Sequence, residues 1–98
     1  MDLNEFKASL SQPTPPDGLS LSLLALWHDV KGDWDKAHKL AQQDSSREGA
    51  WVHAYLHRKE GDTNNAAYWY ARTAGKSLCQ MPLDEEWEEI VTALLDER

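Results

Sequence analysis

The sequence predicts an all-α fold in which two stacked helix hairpins are flanked by an N-terminal and a C-terminal capping helix. Three observations carry this prediction. Every long apolar segment repeats at helical spacing. The segments end on Gly or Pro signals, and none reads as a strand. The stretch 21–43 is echoed, without a gap, 29 residues later. With 98 residues there is room for one domain, residues 1–98.

The N-terminal helix is expected within residues 1–11. Leu3, Phe6 and Leu10 recur at i, i+3 and i+7, and Asp2 with Glu5 forms a capping-box start. Residues 12–18 follow as an extended connector, because Pro13, Pro15 and Pro16 forbid helix and ladder alike. The two hairpins occupy residues 19–75. Leu19 to Lys31 is dominated by Leu and Ala and stops at Gly32. Gly32 supplies a left-handed end and Asp33 caps the next helix, which carries Trp34, Ala37, His38 and Ala41. Gln42 to Ser46 is a polar turn, with Ser45 and Glu48 as a capping box for a third segment running to about Glu60. Gly61-Asp62 repeats the stop-and-cap signal, and Gly75 is expected to close the helix that follows. After a loop over 77–83, Asp84 caps a last helix over 84–96, where Trp87, Ile90, Val91 and Leu94 share one face.

Charge excludes several function classes. Seventeen acids against ten bases give a net charge of −7, and no basic run exceeds Arg58-Lys59. A nucleic acid or an anionic membrane surface repels such a chain, so neither is expected as a partner. The longest unbroken apolar run, Leu23 to Trp27, is far too short to span a bilayer. The N-terminus carries no charged-then-apolar leader pattern, and Cys79 is the single cysteine, so a cytoplasmic protein without disulfides is expected. The acidic runs Asp84-Glu85-Glu86 and Glu88-Glu89 read as a solvated face that also suits the positive end of the last helix.

The internal repeat pairs Ala25 with Ala54, His28 with His57, Gly32-Asp33 with Gly61-Asp62, and Ala37 with Ala66. Small residues at these places let two helices joined by a tight turn approach closely. This pattern resembles the tetratricopeptide repeat. The small residue of that family's first helix falls on Ala25 and Ala54, its turn Gly on Gly32 and Gly61, and its second-helix Ala on Ala37 and Ala66. The later aromatic is present as Tyr70 but is Ala41 in the first unit. The chain departs from the family in its 29-residue spacing, against about 34 in the family. His28 and His57 also replace the first helix's late aromatic, and the closing Pro is missing. The stretch from Ala50 to Gly75 is similar to small bacterial proteins of this repeat-like kind. The resemblance implies a non-enzymatic binding or interaction module with a protein or peptide partner. Two hairpins leave faces that need capping helices or a homodimer, so a monomer or a homodimer is expected.

Two side-chain constellations are candidates for chemistry. His53 and His57, four apart, share a helix face, and His38 lies on the preceding helix. Three imidazoles with an open position can hold zinc, so His38, His53 and His57 are the metal candidates. The stretch His53 to His57 has the spacing of a metalloprotease helix, but Ala54 stands where that motif needs its Glu, which excludes that chemistry. No Cys or Glu completes an obvious ligand set. The histidines are therefore expected to be structural, with no cofactor and substoichiometric zinc. The second constellation is Trp34, His38, His53, Asn65, Trp69 and Arg72, with Tyr68 one turn before Arg72. Rings with a few converging donors are how small-ligand sites are built, and Arg72 gives a preference for a small anion. Against this stands the expectation that Arg72 pairs with Asp62 or Glu60. Trp27, Trp51, Tyr70 and Trp87 are expected in the core. No catalytic residue is assigned. The rival to the binding module is a small metal- or ligand-dependent enzyme using the His/Trp/Arg pocket.

Overall fold

Six helices run through the described residues, 1–73 and 78–96, of a computed structural model. They are α1 (Leu3–Ser9), α2 (Leu21–Val30), α3 (Trp34–Gln43), α4 (Arg47–Glu60), α5 (Thr63–Ala71) and α6 (Leu83–Asp96). No strand occurs among the described residues, so the chain is all-α. Gly75, expected to close α5, lies outside them.

Local chemistry sets most of the ends. Asp2 and Glu5 form the reciprocal capping box of α1, and the Ser20 side chain caps α2 by accepting from the Leu23 N–H. The two Gly-Asp turns are the same structure made twice. Gly32 and Gly61 both sit at φ 91°, the left-handed region where a side chain is strained. Asp33 N–H donates to the His28 carbonyl at 3.0 Å, and Asp62 N–H to the His57 carbonyl at 2.9 Å. Each Asp then accepts, through its side chain, from the backbone three residues on, Lys36 and Asn65 respectively.

Two expected caps are displaced. The cap of α4 is Ser46, which accepts from the Gly49 N–H at 3.2 Å, rather than Ser45 with Glu48. Asp44 selects Ser46 by accepting from both its backbone N–H and its hydroxyl. α3 accordingly runs to Gln43, into the segment expected as a turn. Asp84 lies inside the first turn of α6, which begins at Leu83; the Pro82 carbonyl already accepts from Glu86 N–H.

The turn into α4 is tight. An ideal Cβ on Gly49 falls 2.1 Å from the Asp44 carbonyl oxygen, so only glycine fits there. Ala25, Ala37, Ala54 and Ala66 are all fully buried, as the repeated small residues require.

The main core lies where α1, α2, α4 and α6 meet. Phe6, Leu23, Leu26, Trp27, Val52, Leu56, Trp87 and Ile90 belong to it. A smaller cluster of Ala54, Ala66 and Tyr70 joins α4 to α5, with Trp51 packed against both. α6 packs on α1, α2 and α4, so it covers the side on which the first helices of the two hairpins meet. Four indole N–H groups tie elements together. Trp27 donates to Ser9 Oγ, Trp34 to the Leu56 carbonyl, Trp51 to Glu86 and Trp87 to the Leu26 carbonyl.

Glu86 corrects the expectation of a solvated acidic face. It is 1% exposed. Its carboxylate accepts from the Tyr70 hydroxyl at 2.6 Å, from Arg58 Nη1 at 2.7 Å and from the Trp51 indole. The second guanidinium nitrogen of Arg58 reaches the Met81 carbonyl. The cause is helical phase: Glu86 stands one turn before Ile90, on the inward face of α6. A second buried acid, Asp29, is held by Lys59 Nζ at 3.0 Å. No helix is long and apolar enough to cross a membrane among the described residues.

Candidate functional site

The seam between the hairpins, where α3 packs on α4, gathers the histidines. Asp33 caps α3, and the Trp34 indole N–H donates to the Leu56 carbonyl at 3.0 Å, which pins the start of α3 against α4. His38, one turn on, stacks on Trp34 at 4.8 Å and 10°. From α4, His53 and His57 stack on each other at 4.8 Å. The three imidazole centroids form a near-equilateral triangle: 4.6 Å from His38 to His53, 5.0 Å from His38 to His57, and 4.8 Å between His53 and His57. One ligand nitrogen from each ring can be chosen so that all three lie within 4.8 Å of one another. The sequence-level metal candidates are therefore brought together.

His38 Nε2 meets His53 Nε2 at 2.9 Å. Such a contact needs one ring to donate its N–H and the other to accept it, so the pair shares a single Nε2 proton. His57 turns its Nδ1 to Glu60 Oε2 at 2.6 Å. Burial lowers the pKa of His53 to about 4, assisted by the neighbouring His38 and His57. His38 is lowered as well, first by burial and then by His57, with Glu60 and Asp35 opposing. Both rings are therefore neutral at neutral pH.

On its other contact face His53 stacks on Trp69 of α5 at 4.0 Å and 16°. There the triad gives onto a groove of about 630 Å³ lined by Asp44, Ser46, Arg47, His53, Trp69 and Arg72. Arg72 is not consumed by Asp62 or Glu60. It lies over the Tyr68 and Trp69 rings at 5.4 and 5.5 Å, and its Nη1 donates to the Tyr68 hydroxyl at 3.3 Å. Glu60 is instead engaged by His57, and Asp62 by Asn65. Neither Arg47 nor Arg72 has an ion-pair partner among the described residues. Among those residues the Trp69 indole also stands apart from the other four, with no acceptor for its N–H. Burial pushes Asp44 up, but hydrogen bonds from Ser22 and Ser46 outweigh it and hold the carboxyl below its usual range. Asp44 is thus an anion already engaged by two hydroxyls.

His53, Trp69 and Arg72 of the predicted ligand set line the groove directly. Trp34 and His38 do not; they connect to it through His53. Asn65 is exposed and joins neither group, since its amide donates to Asp62. His28, the repeat partner of His57, packs edge-on against Trp27, apart from the triad. Arg47 was not singled out from the sequence, and Glu60 was expected there only as a partner of Arg72, not of His57. A signal for Arg47 existed: a base in the first turn of a helix opposes the dipole there and calls for a reason. Burial pushes the Cys79 thiol pKa up, the opposite of what a nucleophile needs.

No family model, curated protein or solved structure matches the chain.

Proposed function

We propose that this chain is a non-enzymatic, tetratricopeptide-like binding module whose groove takes a small anionic ligand. The observation that carries the reading is the groove itself. Two guanidinium groups without acidic partners among the described residues flank a floor made of the Trp69 and His53 rings. In a chain of net charge −7, that pair is a local reversal of sign. A carboxylate or phosphate can be gripped bidentately by Arg72, while Trp69 offers a ring face and an N–H. The twin Gly-Asp turns and buried alanines support the repeat reading. α6 lies over α2 and α4. That placement favours a compact ligand at the α4–α5 end over an extended peptide laid along the first helices. We take the module to act in the cytoplasm, as a monomer or a homodimer.

The test is a titration of the chelator-treated, tag-free chain with inorganic phosphate and with citrate, followed by tryptophan fluorescence. Saturable quenching or enhancement is expected. Arg72→Gln and Arg47→Gln should each weaken it about tenfold or more, consistent with loss of one charge-assisted contact, while circular dichroism stays unchanged. No saturable response to either anion, or a response indifferent to both substitutions, overturns the reading.

A further inference from the structure

The seam between the hairpins has a second capability, beside the anion groove with which it shares His53. We propose that His38, His53 and His57 form a binding site for a divalent late transition-metal ion, of which Zn²⁺ is the type, with Glu60 as the group that orients His57.

The donor set is one nitrogen from each of three rings on two helices. α4 contributes two of them one turn apart, a spacing that places both side chains on the same face. α3 contributes the third. Its approach is set by the Trp34 indole bond to the Leu56 carbonyl and by the stacking of His38 on the Trp34 ring. These contacts hold the rings before any ion arrives, so little ordering remains to be done on binding.

The distances suit an ion of this class. Around a tetrahedral ion with Zn–N bonds of about 2.0–2.1 Å, ligand nitrogens stand roughly 3.3 Å apart. His38 Nε2 and His53 Nε2 are 2.9 Å apart, and one nitrogen of each of the three rings can be chosen so that all lie within 4.8 Å of one another. The first pair need only open slightly and the His57 ring turn its nitrogen toward them. The ion replaces the proton that the His38–His53 pair shares: the N–H···N bond is lost, the donor ring gives up its Nε2 proton and takes one from solvent at Nδ1, so that both rings stay neutral, and two N–metal bonds form.

Glu60 completes the arrangement. Its Oε2 lies 2.6 Å from His57 Nδ1 and accepts that N–H, which leaves Nε2 as the lone-pair nitrogen of the ring. A carboxylate behind a ligating histidine is the usual outer partner of an imidazole that holds zinc, fixing tautomer and orientation. The sequence offered no Glu or Cys as a fourth ligand, which weighed against a metal there. The geometry places the acidic residue behind the ring, where it serves the ligand rather than the ion. With three protein ligands, one position stays open. Neutral imidazoles suit zinc, copper and nickel, whereas the absence of a carboxylate among the three donors disfavours magnesium and calcium.

The experiment uses the full chain, freed of tags and chelator-treated, in a buffer without phosphate or carboxylate. Co²⁺ is the optical probe and Zn²⁺ the competitor. One equivalent of Co²⁺ should bind and give the intense visible absorption of a low-coordinate nitrogen site, and one equivalent of Zn²⁺ should abolish it. His53→Ala and His57→Ala should remove the signal. Because those side chains are buried, the half-buried His38→Gln serves as the variant that keeps the fold, checked by circular dichroism. It too should lose the signal. Glu60→Gln should bind about 10–100-fold more weakly. His28→Ala, on the repeat-equivalent position outside the triad, should bind like the parent. Absence of one-to-one Co²⁺ or Zn²⁺ binding by the folded parent overturns the proposal, and so does binding that survives His38→Gln in a folded variant. The phosphate titration above uses the chelator-treated, metal-free chain and this one omits phosphate and carboxylate, so each reading fails on its own.

Discussion

Trp69 stacks face to face on His53 at 4.0 Å, and this one contact is the wall between the anion groove and the histidine triad. The imidazole presents one face to the indole of α5 and its Nε2 to His38 of α3. A change on either side of His53 is therefore felt on the other.

The first consequence is pH dependence. In metal-free protein His53 titrates near pH 4, against a usual value of 6.5. The groups facing it are His57 on its own helix, His38 on α3 with Asp35 and Glu60 beyond it, and Trp69 with Arg72 on α5. A histidine whose pKa is depressed on folding leaves the unfolded chain holding more protons between the two values. Stability is therefore complete above about pH 6.5 and falls as the pH drops toward 4. The loss is on the order of 3 kcal/mol. Urea unfolding in chelator at several pH values should show this slope, and His53→Gln should flatten it. A midpoint constant from pH 7 to 4.5 in the parent contradicts the assignment.

The repeated alanines make a second prediction. Ala54 is fully buried beside Ala66 and Tyr70. Ala54→Leu should destabilise the chain by about 1–3 kcal/mol. For a domain of this size that lowers Tm by about 4–8 °C per kcal/mol. An unchanged Tm in a thermal melt removes the close-packing role of the repeated Ala.

The third concerns Glu86. Removing its charge leaves the guanidinium of Arg58, which is 15% exposed, without its carboxylate. Breaking a buried pair from one side typically costs about 3–5 kcal/mol, whereas replacing both partners is often nearly neutral. Glu86→Gln should therefore be clearly destabilised in chemical denaturation, and Arg58→Met combined with Glu86→Gln should be less so. Equal losses in the single and double variants show that the pairing carries no stability.

These residues also mark what a sequence can and cannot disclose. Gly32-Asp33 and Gly61-Asp62 were legible because their chemistry is local: a left-handed residue followed by a side chain that caps three residues ahead. His53 and His57 were placed on one face by spacing alone, and Trp34 with His38 likewise. The choice between Ser45 and Ser46 as cap was not legible, because Asp44 decides it through two bonds to Ser46. Glu86 was hidden for a different reason. Its partners Tyr70 and Arg58 lie 16 and 28 positions away, and only the docking of α6 brings them near. Arg47 entered the groove by the same route, through the packing of α4 against α5 rather than through any neighbour in sequence.

The placement of α6 has a kinetic consequence. Stacked hairpins ordinarily gain stability unit by unit, each resting on the one before it. Here α1 and α6 meet: the Phe6 ring lies 5.8 Å from the Trp87 ring, and Lys7 pairs with Glu88 across 81 positions. The shared core of α1, α2, α4 and α6 cannot close until the last of these helices has been made. The fold thus depends on one long-range closure, which raises contact order and slows the final step. A nascent chain lacking α6 leaves open the sides of α2 and α4 on which that helix packs, the part of the surface that a chaperone would have to shield.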